Sequence, residues 1–315
     1  MNKNINKVET SNNQDTNGST FQMWSTFAAS ALTFVAVIFK LFFSNGDDYT
    51  KGFAPTEITA LTAILGIIVS LLMIGWNYRR LLPRFIVLIV AWGTCILLIW
   101  SSGGIIFDVL RTVAILGTPG LPPIVDWIGF ATRAISLMTA ILLALTTVKF
   151  QHASRDMVNY IIKMESHSKK WFGYAAFVLS LPYPLLKIYL SFGGSLAGIH
   201  ASGHHAAYGE IVLFGANALL SLALVQKWGR IFPRWILLVG GWTATCATVP
   251  FGFLAIFGSL MQLLGFDGPI PLDNSAWLVA LVYGEWLFLG ITTGAATWIY
   301  QQETQSSITQ KRKHS

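Results

Sequence analysis

The chain has few charged residues for its length: only 11% of its 315 residues are Asp, Glu, Lys or Arg, while 54% are hydrophobic. A soluble domain carries about 25% charged residues, so this composition excludes an ordinary water-soluble globular fold. The net charge of +7 would suit nucleic acid only if a basic face lay on such a fold. The basic residues instead fall in short clusters between apolar segments, which is typical of membrane topology. We therefore expect a lipid bilayer, and no nucleic acid, as partner.

Cysteine is scarce too. Cys95 and Cys246 lie inside apolar segments without CxxC spacing, so a disulfide framework or cysteine metal site is not expected. Walker A, HExxH, GxSxG and strand-linked GxGxxG motifs are also missing from the sequence. We expect no cofactor, and any ATP-driven step would need a partner ATPase. The Asn- and Thr-rich segment 1–21 has no apolar run, which predicts a disordered cytoplasmic tail without a cleavable signal peptide.

Long apolar runs fill the rest of the chain. A helix needs about 20 apolar residues to cross a hydrocarbon layer of about 30 Å. Eight segments meet this requirement, at about 22–43, 57–76, 84–107, 127–148, 172–192, 208–226, 234–258 and 277–299. The run from Trp235 to Gly265 is too long for one simple span, so we expect Pro250 to kink it or its end to lie along the interface.

Basic residues predict how these spans are oriented. Most of the 21 Lys and Arg residues fall in the N-terminal tail, the loops after spans two and six, the connecting loop 149–170 and the basic tail 301–315. The opposite loops keep only Lys51 and Arg111. By the positive-inside rule both termini are cytoplasmic, and we expect a multi-pass protein of the cell membrane.

The two halves of the chain resemble each other. Pro83-Arg84 aligns with Pro233-Arg234, and in the same order Trp92 aligns with Trp242, Trp127 with Trp277, Lys40 with Lys187 and Glu57 with Glu210. Shared apolar composition does not explain this recurrence of polar and aromatic residues. We predict an all-α protein of two parallel four-helix repeats, 22–148 and 171–300, related by an axis along the membrane normal.

Two short motifs carry a family resemblance. "KIYLSFGG" ends the first helix of the second half, and "FPRW" followed by "GGW" opens its third helix. With these motifs each half resembles a group of small, uncharacterised four-helix bacterial membrane proteins. The resemblance implies a fold and no activity.

Ionisable residues in the spans predict a polar pocket. Charge inside a bilayer costs about 2.5–3.5 kcal/mol on insertion scales, and in the predicted orientation these residues all lie toward the outer face. Lys40 and Lys187 either snorkel to the interface or face the glutamates of their repeats, Glu57 and Glu210. The residues predicted to line the pocket are Lys40, Glu57, Arg133, Tyr183, Lys187, Glu210 and Glu285.

Arg133 and Glu285 lie well inside their spans. They are about 9 Å and about 12 Å below the first tryptophans of their spans, Trp127 and Trp277, at 1.5 Å per residue. They occupy nearly equivalent positions on repeat-related helices. The sequence leaves two interpretations open: a structural ion pair between the two, or a substrate- or ion-binding role in which that pair opens.

Pro182 and Pro184 remove two backbone donors near the middle of the fifth span. The sequence fits a simple proline kink, and it also fits a broken helix of the kind that forms binding sites in transporters. Tyr183 would then offer a hydroxyl at the break. The first half has Val35, Ala36 and Val37 there, so one half alone carries this feature.

The predicted external loop "GIHASGHHAAYGE" contains His200, His204 and His205. These side chains could bind a metal ion or sense external pH. The intervening Ser-Gly argues against a helical pair of ligands, and we favour a solvated loop with incidental histidines.

Three functions compete on this basis. We favour a permease or a small-molecule- or ion-binding transporter with an outward-facing pocket. The alternative is a non-transporting accessory protein, such as a sensor, an immunity factor or the membrane subunit of a complex, with a partner membrane protein. An integral membrane enzyme acting on lipid fits least, because the clustered Asp or His motifs usual for that chemistry are missing.

Overall fold

The computed structural model of the protein describes residues 2–43, 54–75, 82–114, 126–152, 166–195, 207–265 and 276–314. All regular structure in these residues is helical, which confirms the predicted all-α class for them. The helices are α1 (Asn2–Phe43), α2 (Thr56–Gly75), α3 (Arg84–Ser101), α4 (Ile105–Ala114), α5 (Trp127–His152), α6 (Ser166–Leu179), α7 (Pro182–Ser191), α8 (Ala207–Val225), α9 (Arg234–Leu263) and α10 (Ala276–His314), with a 3₁₀ turn at Lys227–Ile231.

Six described segments are long and apolar enough to cross a membrane: Phe21–Phe43, Thr56–Gly75, Arg84–Val109, Trp127–Gln151, Lys170–Ser191 and Arg234–Leu263. They match six of the eight predicted spans. The other two coincide with α8, whose apolar part is Ile211–Val225, and with α10. Their crossing of the membrane stays a prediction.

Two helix boundaries differ from those expected. Helix α1 begins at Asn2 and so includes residues of the segment predicted as a disordered tail; a polar composition argues against a packed core but not against a helix. Helix α9 includes Pro250 and continues to Leu263, five residues past the predicted end of the span at 258; a kink at Pro250 or an interfacial end stays a prediction.

The chain divides into two compact units. The first comprises residues 1–102 and 126–162, and the second comprises residues 103–125 and 163–315. Helix α4, which the sequence assigns to the first repeat, therefore belongs to the second unit. The turn at Ser102–Gly104 allows this, because Gly103 lies against α9: a Cβ there would be 2.7 Å from the Pro250 carbonyl oxygen. The ring of Phe107 then packs on Phe251, with centroids 5.2 Å apart.

In the first unit α1 packs on α2 and α5, and α3 completes the bundle by packing on the same two helices. Hydroxyl pairs join α1 to α5: Thr26 Oγ1 lies 2.7 Å from Thr146 Oγ1, and Thr33 Oγ1 lies 2.8 Å from Thr139 Oγ1. Such pairs and small residues are how helices associate in lipid, where no hydrophobic force drives them together.

In the second unit α10 packs closely on α9 and also contacts α6, while α8 contacts α6, α7 and α9. Glycines bring α9 and α10 together. A Cβ on Gly252 would lie 2.6 Å from Leu287 Cα, and one on Gly241 would lie 2.9 Å from Thr297 Cγ2.

The outer faces of these helices are apolar. Large side chains such as Phe42, Ile89 and Val212 are exposed, and only 28–44% of each of the six spans is buried inside the protein. A surface this apolar is stable against lipid and not against water. Lipid therefore solvates the outer faces of both units.

Candidate functional site in the second unit

The predicted fifth span consists of two helices. Helix α6 ends at Leu179 and α7 begins at Pro182, and the break fits the missing N–H groups of Pro182 and Pro184, which deprive the carbonyls four residues earlier of their helical donors. The interruption is short, since Leu181 keeps right-handed helical angles, φ −89° and ψ −38°. Ser180 closes the last turn of α6, because its N–H and its hydroxyl both donate to the Ala176 carbonyl, at 3.0 and 2.7 Å.

An amide from α8 reaches this break. Asn217 Nδ2 donates to Ser180 Oγ at 3.1 Å. The other end of the same amide, Asn217 Oδ1, is buried and has no hydrogen-bond partner within the described part of the chain. A buried acceptor without a donor costs about 1–3 kcal/mol, so this atom is suited to a donor from a bound molecule.

A cavity of about 430 Å³ lies beside Asn217, between α8 and α9. Its volume falls within the range of small-molecule sites, about 300–1,000 Å³. Apart from the amide of Asn217 and two threonines, apolar side chains and glycine form the wall. The lining residues are Ile106, Leu213, Phe214, Ala216, Asn217, Leu220, Ile236, Gly240, Thr243, Ala244, Ala247 and Thr248.

An aromatic cluster adjoins the cavity through Phe214, which belongs to both. The Phe214 ring centroid lies 4.8 Å from those of Tyr183 and Trp286, and Trp286 also packs on Tyr183, Phe251 and Tyr283 at 5.0, 4.5 and 5.4 Å. The cluster therefore joins α7, just after the break, to α8, α9 and α10.

Two polar atoms on the helix that carries Trp286 have no hydrogen-bond partner among the described residues. Trp286 is 6% exposed, and its indole N–H finds no hydrogen-bond acceptor among the described residues; the buried Oε1 of the neighbouring Glu285 likewise finds no donor there. Lys187, one turn after Tyr183 on α7, holds its Nζ 5.4 Å from the Tyr183 ring centroid, within the range of a cation–π interaction. Of the predicted pocket residues, the structure thus brings Lys187, Tyr183 and the helix of Glu285 to one cluster.

In the first unit, the buried charges have a different setting. Lys40 and Arg133 are only 7% and 2% exposed, while Glu57 is exposed in the first turn of α2. Arg133 Nη2 lies 3.6 Å from Asp126 Oδ2, a carboxylate at the start of its own helix. Asp126 also caps that helix, because its Oδ1 accepts from the Gly129 N–H at 2.9 Å.

Several predicted contacts stay predictions. These are the Lys40–Glu57, Lys187–Glu210 and Arg133–Glu285 pairs. The Glu210 side chain lies outside the described side chains, and Arg133 and Glu285 belong to different units. His200, His204 and His205 also lie outside the described residues. Within those residues no group of three or more His, Cys, Asp or Glu is placed to hold a metal ion.

Sequence reasoning missed Asn217, Ser180 and Asp126. Asn217 is the only amide in the apolar run "IVLFGANALLSLALV", and a lone amide in a span is a signal for a helix–helix hydrogen bond. Asp126 directly precedes a span, where an N-cap is expected. The pairing of Asn217 with Ser180 needs the geometry of the break, which spacing does not give.

Comparison of the chain with protein-family models, with curated proteins and with solved structures gives no match. The class of the protein therefore follows from its own architecture. The helices and their apolar outer faces define a polytopic α-helical membrane protein.

Proposed function

We propose that this membrane protein is a permease-like protein that binds a small, mainly apolar molecule carrying a hydrogen-bond donor, in the cavity between α8 and α9. One observation carries the proposal: Asn217 lines a ligand-sized cavity and has a buried Oδ1 without a hydrogen-bond partner among the described residues, while its Nδ2 bonds the break between α6 and α7. Discontinuous helices beside a site are a recurrent feature of transporters, because a broken helix can move where a continuous one resists bending.

The cavity wall defines the chemistry of the molecule. Isoleucine, leucine, phenylalanine and alanine side chains favour an apolar body. The amide oxygen requires an N–H or O–H group on that body, and a molecule lacking one leaves the oxygen unsatisfied. We therefore expect amides, amines or alcohols with hydrocarbon or aromatic bodies to bind in preference to sugars or inorganic ions.

The aromatic cluster connects the cavity to Lys187 and to the helix that carries Glu285. Phe214 contacts both the cavity and Trp286, next to Glu285, while Lys187 lies over Tyr183. We propose that Lys187 and Glu285 respond to binding when α7 shifts against α10. The outward-facing position of Lys40, Glu57, Arg133 and Glu210 stays a prediction from the sequence, and within the first unit the burial of Lys40 and Arg133 fits charged groups that do not face lipid.

The proposed architecture is eight spans in two parallel repeats with both termini in the cytoplasm. Matching local geometry supports the repeat. Pro83 and Pro233 precede α3 and α9 with nearly equal angles, φ −57° and ψ 138° against φ −55° and ψ 133°. The guanidinium that follows each proline donates to a carbonyl near the end of its unit's last span: Arg84 to Phe150, and Arg234 to Gln301.

Filling the cavity tests the proposed function. Ala244→Phe should exclude the bound molecule, whereas Ala131→Phe, at an exposed position of α5, adds the same ring elsewhere and serves as the control. Molecules that co-purify with each variant are compared by untargeted mass spectrometry, and vesicle uptake is measured with a labelled panel of hydrophobic amines, amides and alcohols. We expect a molecule retained by the wild type and the control to be lost from Ala244→Phe, together with uptake.

Two other results have distinct meanings. If co-purifying molecules are identical in all three proteins, the cavity is not a binding site and the proposal is wrong. If a molecule is lost from Ala244→Phe but no panel member crosses the membrane in the wild type, binding stands and the transport part is replaced by the non-transporting accessory role.

A further inference from the structure

A second cavity, independent of the proposed function, lies at the end of the second unit where α8 stops and α9 starts. Its volume is about 640 Å³. Four cationic side chains line it against one carboxylate, and these residues are Lys170, Lys227, Arg230, Arg234 and Glu303. Like charges that line one cavity repel each other, and an anion among them relieves the repulsion, so the excess of positive charge in the lining favours an anionic ligand.

Tight packing fixes the backbone segment that carries two of the cationic residues. Lys227 and Arg230 belong to the 3₁₀ turn that links α8 to α9. Gly229 between them is buried, and a Cβ there would lie 2.5 Å from the carbonyl carbon of Ala223. The turn therefore rests directly on the end of α8, and the site does not depend on a loose loop.

Arg234 adds an unsatisfied donor. Its Nη2 reaches the Gln301 carbonyl oxygen only at 3.4 Å, and its Nε is buried without a hydrogen-bond partner among the described residues. Guanidinium groups bind phosphate oxygens through two parallel N–H groups. A phosphate oxygen in the cavity would satisfy the donor that the protein leaves open.

The remaining wall is partly apolar, with Leu224, Val225, Ala296 and Ile299, and partly polar, with Gln226, Tyr300 and Thr304. Exposed tryptophans, which mark the membrane–water interface, lie near this end of the unit: Trp171 and Trp235. A cavity that combines basic, polar and aliphatic side chains at the interface suits a phosphate group, with or without a hydrocarbon chain attached.

We propose that this basic cavity binds a phosphate-bearing anion, either the head group of an anionic phospholipid or a soluble phosphate ester. Lys170, Lys227, Arg230 and Arg234 supply the positive charge, and Arg234 Nε donates to a phosphate oxygen. In the predicted orientation the cavity faces the cytoplasmic leaflet, whose anionic lipids bind to basic pockets between helices.

Native mass spectrometry of the full chain in neutral detergent tests this. Phosphatidylglycerol, phosphatidylcholine and glycerol 1-phosphate are titrated separately onto the wild type and onto Lys227→Gln/Arg230→Gln. Both substituted residues are exposed, so the variant keeps the packing of the unit. Lys311→Gln/Lys313→Gln removes the same charge from the C-terminal tail and is the matched control.

We expect phosphatidylglycerol to bind the wild type and the control alike, and the cavity variant about thirtyfold more weakly, since each cation near an anionic lipid contributes about fivefold. If glycerol 1-phosphate binds the wild type and its binding is weakened to the same extent in the cavity variant, the ligand is a soluble phosphate ester and the phosphate site is upheld. Three results would overturn the proposal. These are equal weakening of binding in both variants, binding of phosphatidylcholine as tight as that of phosphatidylglycerol, and no binding of any phosphate compound.

Discussion

Asn217 Nδ2 lies 3.1 Å from Ser180 Oγ, so a single amide ties α8 to the break between α6 and α7. The same side chain lines the cavity between α8 and α9, and its buried Oδ1 has no hydrogen-bond partner among the described residues. One residue therefore connects the wall of the cavity to the break.

Replacing Asn217 separates its structural role from its binding role. Asn217→Leu removes a buried acceptor that has no donor among the described residues, which favours folding by about 1–3 kcal/mol, but it also loses the hydrogen bond to Ser180, which costs about 0.5–1.5 kcal/mol. We therefore expect the free energy of unfolding to stay level or rise by up to about 2 kcal/mol, while the co-purifying molecule is lost. Thermal unfolding in detergent and mass spectrometry of the same samples measure both. A fall in stability above about 2 kcal/mol with binding retained would make Asn217 purely structural.

Two glycines of the second unit should respond oppositely to the same substitution. Gly252→Ala places a methyl group 2.6 Å from Leu287 Cα, and overpacking of this kind costs about 1–3 kcal/mol. Gly215→Ala meets no atom within 4 Å and should stabilise α8 by about 0.4–1 kcal/mol. Unfolding of the two variants by a graded denaturing detergent gives the comparison, and similar values for both would contradict the close α9–α10 packing.

The hydroxyl pair between Thr33 and Thr139 should contribute modestly to the first unit. A double-mutant cycle with Thr33→Val and Thr139→Val keeps the side-chain shape and removes the 2.8 Å contact. Because interhelical hydrogen bonds in membranes average about 0.6 kcal/mol, we expect a coupling energy near that value. Coupling indistinguishable from zero would mean that shape alone joins α1 to α5.

Asp126 has two roles, and two substitutions distinguish them. Asp126→Asn keeps the oxygen that caps Gly129 but removes the charge facing Arg133; Asp126→Ala removes both. We expect Asp126→Ala to destabilise by about 3 kcal/mol and Asp126→Asn by about 1 kcal/mol less, the contribution of a cap. Equal losses in thermal unfolding would show that the cap contributes nothing.

The orientation of the spans is open to a labelling experiment. In a background with Cys95→Ala and Cys246→Ala, single cysteines replace Lys187 or Lys227, which lie at opposite ends of the second unit's helices. With both termini in the cytoplasm, an impermeant thiol reagent added to whole cells should label position 187 and spare position 227 until the cells are opened. The reverse pattern would invert the topology, and labelling at neither position would remove the outward-facing pocket.

Much of the fold could be predicted because a lipid environment requires long apolar segments to be helical. The predicted span 84–107 follows Pro83, and α3 occupies its first part, Arg84–Ser101. The reassignment of α4 could not be predicted, since it depends on Gly103 fitting against Pro250 and Leu254, a tertiary contact without a periodic signal.

The site was predicted in part. Buried charges such as Arg133 attract notice from sequence because charge in lipid is costly, while Pro182 and Pro184 left both a kink and a break open. An Arg133–Glu285 pair was one of two interpretations of these charges and stays a prediction; Asp126, a described partner of Arg133, was missed because a carboxylate at the helix start looks like an ordinary cap. The cavity at Asn217 arises from how α8 and α9 pack, which residue spacing leaves undetermined.

The most direct test of the central claim is photo-crosslinking from inside the cavity. The photoreactive residue p-benzoylphenylalanine is placed at Ala247, which lines the cavity, and at Ala131 as control, and cells are irradiated before purification. Mass spectrometry should show a small-molecule adduct with an N–H or O–H group at position 247 and only phospholipid adducts at position 131. Phospholipid acyl chains as the only adducts at both positions would contradict a small-molecule site between α8 and α9.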